Sequence, residues 1–248
     1  MNKTLLISAM CIAAAFVTQS AQAMETKIRA GVGTSSYALG GDYITAKSTY
    51  TPVNVGLTLA TDGGMYVDLA LSGGTGTHDG WASRGAPSES FSRADAALIF
   101  GASKLNQNNG IAGTLYVGLK TGSTVLGAKN AGRVWTEETF NTSGVVFGGG
   151  VSFPIASGRA GAVGINLGLG VMTANWKDNR TVGTYDVNSD TAVGGSLGVN
   201  YTYPITSHLG VVVDLKGNSY SYNFGTAATP FTVNETISLA GVSAYFKF

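Results

Sequence analysis

The chain has 248 residues, of which only 12% are charged and 36 are glycine. Ordinary soluble domains carry about twice that charged fraction, so the sequence offers little surface suited to water. Fifteen basic and 14 acidic side chains nearly balance, which leaves no basic excess for nucleic acid, and the single cysteine excludes a disulfide framework.

The N-terminal segment has the features of a secretory signal peptide. Lys3 supplies a positive start, Leu5 to Val17 are almost wholly apolar, and Ala21 to Ala23 have the small-x-small form of a cleavage site. The apolar stretch is shorter than the roughly 20 residues that a membrane helix needs. We therefore predict a signal peptide over residues 1–23 and a mature domain over residues 24–248, which leaves Cys11 in the leader.

The mature chain alternates apolar and polar residues in about ten stretches, and no apolar run in it approaches a membrane helix in length. This period of two is typical of strands in a transmembrane barrel. The predicted strands lie near Thr26–Ser36, Tyr50–Ala60, Met65–Gly73, Ser92–Leu105, Ala112–Gly122, Thr142–Phe153, Ala160–Trp176, Thr191–Tyr203, Leu209–Tyr222 and Glu235–Phe248.

The connectors between these strands alternate in length. Short turns rich in Gly, Asn and Ser are predicted near Thr61–Gly64, Asn106–Gly110, Ile155–Gly158 and Ile205–His208, and loops of about 10 to 19 residues separate the other strands. Outer-membrane barrels have short turns at one rim and longer loops at the other. The sequence thus predicts an all-β, closed antiparallel transmembrane barrel of about ten strands, with eight or twelve as alternatives.

Two turns and the last strand carry a family resemblance. Phe153 to Ser157 and Tyr203 to Ser207 share an aromatic-Pro-Ile-x-Ser form, and the last strand presents small or apolar residues at every second position up to Phe246 and Phe248. These features resemble small bacterial outer-membrane barrels of the opacity-like and porin-like kind, in which a final strand ending in Phe is read by the assembly machinery.

The resemblance implies an outer-membrane protein with both termini in the periplasm. Its expected partners are outer-membrane lipid and the barrel assembly machinery, with Phe246 and Phe248 as the assembly signal. Small solutes, or an external ligand at the loops, are further expected partners. No cofactor, metal or nucleic acid is expected.

The alternation assigns a face to each residue. Branched and long apolar residues such as Val55, Leu69, Leu115, Leu167 and Val213 are expected to face lipid, and their neighbours, mostly small residues, to line the interior. A ten-stranded bore lined largely by glycine suggests unfilled volume. Alternatively, the glycines relieve crowding while Tyr66, Tyr116, Met172 and interior charges fill the bore, so the sequence leaves an open and a plugged bore as equal alternatives.

Few charged residues fall on the inward face. Arg29, Asp68, Asp214 and Lys216 are expected nearer the periplasmic half, and Arg93, Asp95 and Lys120 nearer the outer rim. Charges inside a membrane protein pair or line a water pathway. They would form either a constriction that filters solutes or salt bridges that stiffen the barrel.

Aromatic residues occur at or near the bases of the predicted long loops. We expect most of them to form the outer aromatic girdle at the membrane surface, while some would contact an external partner. They are Tyr37, Tyr43, Trp81, Phe91, Trp135, Phe140, Trp176, Tyr185 and Phe224.

Enzymatic activity finds little support in the sequence. The only arrangement that resembles a catalytic one is His78-Asp79 with Ser83 or Ser88 nearby, and adjacent residues are a poor substitute for a spatially organised pair. We therefore expect no enzyme.

The sequence favours a narrow passive channel for small hydrophilic solutes. The alternative is a surface structural or adhesive barrel with a closed bore, whose extracellular loops bind an external partner. A third interpretation, a secreted β-sandwich, would need the apolar face to be buried against a second sheet.

Overall fold

The structure is a computed structural model. It describes residues 24–41, 45–79, 88–130, 133–156, 160–180, 183–225 and 230–248, so the predicted signal peptide lies outside the described residues. No helix in these ranges is long and apolar enough to cross a bilayer.

The described chain consists almost entirely of antiparallel strands. Their bounds are β1 Met24–Gly41, β2 Thr45–Tyr50, β3 Val53–Thr61, β4 Met65–His78, β5 Ser88–Leu105, β6 Ala112–Asn130, β7 Arg133–Pro154, β8 Ala162–Arg180, β9 Gly183–Asn188, β10 Ala192–Pro204, β11 Leu209–Phe224 and β12 Phe231–Lys247.

The sheet closes on itself. The first strand, β1, pairs with the last strand, β12, from Lys27 opposite Lys247 to Gly41 opposite Val233. Its other edge pairs with β2 and β3, and each later barrel strand pairs with its neighbours in the chain. Closure leaves no free edge among the described barrel strands, which is what a sheet needs in hydrocarbon. The predicted closed antiparallel barrel is confirmed.

Two barrel strands are each divided into two pieces. Strands β2 and β3 keep one register against β1, and they are separated only at Thr51 and Pro52, where proline cannot donate to the ladder. Strands β9 and β10 are offset by one residue against β8, which is a bulge between Asn188 and Ala192. When each divided strand is counted once, the barrel has ten strands, which we call staves, and this is the number that the sequence predicts.

The four short turns lie at one end, which we call the turn end. Pro154 and Pro204 are the last residues of β7 and β10, and the aromatic residues before them, Phe153 and Tyr203, are exposed on the outer surface. In the β3–β4 turn, Gly64 has a φ of 83° and its carbonyl accepts a hydrogen bond from the Ser103 amide of β5. A side chain at Gly64 would meet the Ser103 carbonyl, so the turn requires glycine.

The strands extend much further toward the opposite end, the loop end, than the sequence predicts. Strand β7 has 22 residues, whereas about 9 to 11 residues cross the hydrocarbon. Residues 123–141, predicted to be a long loop, are in fact β6 up to Asn130 and β7 from Arg133. The prediction of long loops is wrong here. These segments still alternate as strands do, but their apolar side chains lie on the inward face and their polar side chains on the outward face.

An apolar band surrounds the turn-end half of the barrel. Its members are exposed to the surroundings as the face assignment predicts, and they include Ile28, Val32, Val55, Leu69, Leu115, Val117, Ile165, Leu167, Leu169, Val193, Leu197, Val213, Leu215, Val242 and Phe246. Above this band most outward positions carry Ser, Thr or Asn, with a few charged residues such as Lys47 and Lys177. From this band we infer that the turn-end half crosses the membrane, and we call the loop-end half, which would extend beyond it, the projecting half.

Candidate functional site

The loop-end half of the bore is filled by apolar side chains. We call this cluster the plug: Tyr37, Leu39, Ala46, Tyr50, Phe91, Leu126, Ala128, Phe140, Met172, Ala174, Trp176, Ala192, Tyr220, Tyr222, Phe224, Phe231, Val233 and Ile237, all buried. They come from staves all around the barrel, so their side chains meet near its axis.

Aromatic contacts connect the plug across the bore. The rings of Tyr37 and Phe91 lie 5.3 Å apart, and those of Phe140 and Tyr222 lie 5.5 Å apart in an edge-to-face arrangement. Trp176 has the same arrangement with Phe231 at 5.8 Å. Such pairs add about 0.5 to 1.5 kcal/mol each to the free energy gained from burial.

The plug corrects the predicted aromatic girdle. Tyr37, Phe91, Phe140, Trp176 and Phe224 are buried inside the barrel, with exposed fractions of 6% or less. They point inward because each lies an odd number of residues from the lipid-facing residues of its own strand, and such positions face opposite sides of a sheet. The predicted girdle residues Tyr43 and Trp81, and the side chains of Trp135 and Tyr185, lie outside the described part.

A buried ion cluster forms the floor of the plug. The Arg93 guanidinium donates hydrogen bonds to Glu235 at 2.7 Å, to Asp95 at 2.7 and 2.8 Å, and to the Thr124 hydroxyl at 2.6 Å. Its central carbon lies 5.1 Å from the centre of the Tyr37 ring. Since Arg93 is on β5 and Glu235 is on β12, with β1, β2 and β4 between them, this salt bridge crosses the bore.

Below the ion cluster, the turn-end half contains a chamber with a mixed charged, polar and apolar lining. Its volume is about 260 Å³, and charged residues around it are Lys27, Arg29, Asp95, Lys120, Asp214 and Lys216. Asn54, Ser72, Asn218 and Ser243 add amide and hydroxyl groups, and apolar residues such as Ala70, Ala97, Val212 and Leu239 form much of the remaining wall. We call this cavity the chamber.

Ion pairs organise the chamber wall. Arg29 donates to Asp68 at 2.6 Å, and the Thr58 hydroxyl donates to the other oxygen of that carboxylate at 2.5 Å. Lys216 lies 3.1 Å from Asp214, two residues away on the same face of β11. Lys120 has its ammonium 5.6 Å from the centre of the Tyr220 ring.

All seven predicted interior charges are therefore described. Three sets come together: Arg29 with Asp68, Asp214 with Lys216, and Arg93 with Asp95. Glu235 and Lys27 also face inward and were not predicted to do so, although each lies an even number of residues from inward-facing residues of its own strand. The roles of the seven charges in function, and of Phe246 and Phe248 in assembly, stay predictions.

Large rings cover several of the inward glycines. The Tyr116 ring lies against Gly148 and Gly168, where a Cβ atom would collide with its hydroxyl, and the Tyr66 ring covers Gly101 in the same way. These glycines therefore make room for tyrosine rings that lie flat on the inner wall. The glycine-rich interior is correspondingly less empty than its composition suggests.

The histidine noted in the sequence is part of the wall of the projecting half. His78 is buried, with Nε2 3.2 Å from the Gly127 carbonyl and Nδ1 3.7 Å from the Glu89 carboxylate. Its neighbour Asp79 instead accepts a hydrogen bond from the Lys47 amide at 2.9 Å. Ser83 and the Ser88 side chain lie outside the described part. Within that part, no group of three or more His, Cys, Asp or Glu residues is placed to hold a metal.

The outer surface of the projecting half carries a row of asparagines. Asn141, Asn175 and Asn188 lie side by side on β7, β8 and β9, and the Asn175 amide donates to Asn188 at 3.0 Å and to Asp186 at 2.7 Å. Hydrogen bonds from Asn175 and Lys177 lower the pKa of the Asp186 carboxyl. This surface offers many hydrogen-bonding groups and few charges.

Comparisons with known proteins agree with this architecture. No protein-family model and no curated protein sequence matches the chain. The translocator domain of the autotransporter NalP from Neisseria meningitidis is 8% identical, with a TM-score of 0.52 over 99% of this chain and 96% of that chain.

Two other solved structures are similar at lower scores. The toluene transporter TodX of Pseudomonas putida is 8% identical, with a TM-score of 0.37 over 89% of both chains. The attachment invasion locus protein Ail of Yersinia pestis is 9% identical, with a TM-score of 0.38 over 90% of this chain and 98% of that chain. Of these three, the NalP translocator domain is the one whose score supports a shared fold, a closed antiparallel β-barrel.

Proposed function

We propose that the protein is an outer-membrane barrel with a closed bore, which presents its projecting half at the cell surface as a structural or binding element. The observation that carries the proposal is the plug, whose side chains meet across the bore. The Arg93–Glu235 salt bridge crosses it as well, at 2.7 Å.

The projecting half suits this role. A water-exposed barrel needs an apolar core inside and polar groups outside, and the plug and the Ser, Thr and Asn residues supply them. The asparagine row offers amide donors and acceptors to an external partner.

A second candidate function is the narrow passive channel for small hydrophilic solutes. It is favoured by the chamber, because about 260 Å³ of space lined with charges and amides can hold water. Under this hypothesis the plug would have to move away from the barrel axis to connect the chamber with the outside.

Conductance of the purified protein in a planar bilayer distinguishes the two functions. We expect no current steps from the wild type at any salt concentration. A variant in which Tyr37, Phe91, Phe140 and Tyr222 are all replaced by Ser should give steps, since it removes large side chains from the bore, and it shows that the assay detects a pore.

Regular current steps from the wild type would contradict the closed bore. In that case, Lys120→Glu and Lys216→Glu should each shift selectivity toward cations, because both side chains line the chamber. Unchanged selectivity would argue against a path through the chamber.

A further inference from the structure

The outer surface of the projecting half differs between its two sides. The asparagine row places the amides of Asn141, Asn175 and Asn188 side by side, and Asn223 and Asn234 add two exposed amides on β11 and β12. Among the described residues, the outward positions of β1, β2, β4, β5 and β6 contain no amide side chain. Amide groups are therefore concentrated on one side of the barrel.

A second row of short polar side chains lies beneath the asparagine row. Its members stand side by side on β6, β7 and β8, and they are Thr121, Ser143 and Thr173. We call them the hydroxyl row. Together with the asparagine row they line one shallow depression of about 670 Å³. A ligand in this depression contacts both rows at once.

Hydrogen bonds fix part of the asparagine row and leave other groups available. The Asn175 amide donates to Asn188 at 3.0 Å and to Asp186 at 2.7 Å, so its orientation is set before any ligand arrives. The side chains of Asn141 and Ser143 form no hydrogen bond with other described residues. Their donors and acceptors are free to bind a ligand, and a site that is already ordered loses less entropy on binding.

The depression has no surplus charge. Lys177 is the one charged side chain in its lining, and it is paired with Asp186 at 3.1 Å. A phosphate or carboxylate therefore finds no unpaired cation among the lining residues. The two rows also lack the aromatic and aliphatic anchors that protein partners use. Neutral amides and hydroxyls, which both donate and accept, suit a ligand with many hydroxyl groups, and this is the chemistry of a sugar.

The hydroxyl row begins where the apolar band ends. Leu119, Val145 and Val171 stand side by side on β6, β7 and β8, each two residues nearer the turn end than a member of the hydroxyl row. Alternate residues of a strand lie about 6.6 Å apart on one face. A ligand in the depression is therefore at the level of the lipid head groups, directly above the acyl chains that contact the band.

We propose that the depression binds the sugar head group of one glycolipid molecule, whose acyl chains lie against the apolar band. The Asn141 amide and the Ser143 hydroxyl bind hydroxyl groups of the sugar, and the amide nitrogen of Asn188 donates to another. The inference rests on the proposed function, because it requires the projecting half to lie outside the membrane. It holds for a closed or an open bore, so conductance and glycolipid binding can fail separately.

Native mass spectrometry of the refolded barrel tests the proposal. The protein is held in a polyoxyethylene detergent, which carries no sugar, and is mixed separately with lipopolysaccharide, digalactosyl diacylglycerol and phosphatidylglycerol. We expect one molecule of either glycolipid to stay bound and phosphatidylglycerol to be lost. Binding should persist at high ammonium acetate concentration, because salt screens charges and not neutral hydrogen bonds.

Two double variants locate the site. Asn141→Ala with Asn188→Ala should weaken glycolipid binding about tenfold, the effect of losing one or two hydrogen bonds. The matched control is Ser36→Ala with Thr49→Ala, because these exposed residues stand side by side on β1 and β2, outside the depression. The control should bind as the wild type does. Heat-modifiable migration in detergent gels checks that each variant is folded.

Several results would overturn the proposal. One is loss of both glycolipids from the folded wild type. Binding of lipopolysaccharide alone, abolished by salt, would mean that its phosphates are held and not its sugars. Equal weakening in the two double variants would indicate general contact with the surface. If the asparagine variant does not fold, Ser143→Trp replaces it, since an indole fills the depression, and unchanged binding in that variant contradicts the site.

Discussion

At the scale of single residues, the salt bridge between Arg93 and Glu235 is the contact whose loss should cost the most. Both side chains are almost completely buried, with exposed fractions of 1% and 2%. The plug covers this salt bridge on the loop-end side and the chamber encloses it on the turn-end side. Removing one partner therefore leaves the other charge away from bulk water and with fewer counter-charges.

We expect Glu235→Gln to lower the free energy of unfolding by about 1.5 to 3 kcal/mol, the usual contribution of a hydrogen bond to a charged group, because Asp95 still neutralises Arg93. Urea unfolding of the protein in lipid vesicles, followed by heat-modifiable migration, measures it. The matched control is Glu25→Gln, whose pair with Lys247 is exposed and should cost no more than about 1 kcal/mol. Similar midpoints for the two variants would show that the buried bridge does not stabilise the barrel.

The sequence predicts some of these contacts and not others. Asp214 and Lys216 are two residues apart on one strand, so alternation alone places them on the same face. Arg93 and Glu235 are separated by 142 positions and face each other only after the ring has closed with its particular register. Strand periodicity contains no information about which staves stand opposite each other, so this contact could not be predicted.

At the scale of the element, each long strand exchanges its apolar face part of the way along. In β11, Val213 and Leu215 are exposed at odd positions, whereas Tyr220, Tyr222 and Phe224 are buried at even positions. The change occurs over Lys216 to Ser219, where the stave leaves the apolar band. This exchange can be read in the sequence, because the aromatic residues of β11 occupy even positions whereas the valine and leucine before them occupy odd positions.

Arginine substitutions at two outward positions of β8 test where the membrane ends. We expect Leu167→Arg to destabilise the barrel in vesicles by about 2 to 4 kcal/mol, because it places a charge against lipid. Thr173→Arg, six residues further on the same face, should change the free energy of unfolding by no more than about 0.5 kcal/mol, since it faces water.

The two substitutions control for each other, because they introduce the same side chain on the same strand. Equal costs for Leu167→Arg and Thr173→Arg in the urea titration would mean that the apolar band does not end between these positions.

The strand centres and the turns were predictable, and the loop-end halves of the strands were not. The turns contain Gly, Asn and Pro at positions that the backbone requires, such as Gly64 and Pro154. Outside the membrane, Ser and Thr on the exposed face have the composition of a loop. Only their pairing with inward aromatic residues reveals a strand.

At the scale of the whole molecule, the barrel consists of two halves with opposite organisation. The turn-end half has apolar residues outside and the chamber with its charged residues inside, and the loop-end half has polar residues outside and the plug inside. An even number of staves brings both ends of the sheet to the turn end, which predicts that this end faces the periplasm.

Cysteine labelling tests that orientation. Since the only cysteine, Cys11, is in the predicted signal peptide, Asn108→Cys in a short turn and Ser221→Cys near the loop end each introduce a single thiol into the mature chain. We expect a membrane-impermeant maleimide to label Ser221→Cys in intact cells. Asn108→Cys should react only after the outer membrane has been permeabilised, and the reverse pattern would contradict the orientation.

The exchange of faces means that the two halves depend on different solvents. Removal of lipid affects only the turn-end half, because that half is the one in contact with acyl chains. The loop-end half is stabilised by packing of the plug and does not need lipid. Chaotropes that dissolve hydrocarbon-like interiors act in the opposite order. The same ring of strands is therefore organised as a membrane barrel in one half and as a water-exposed barrel in the other. Unfolding is expected to begin at the turn end when lipid is removed and at the loop end when a chaotrope is added.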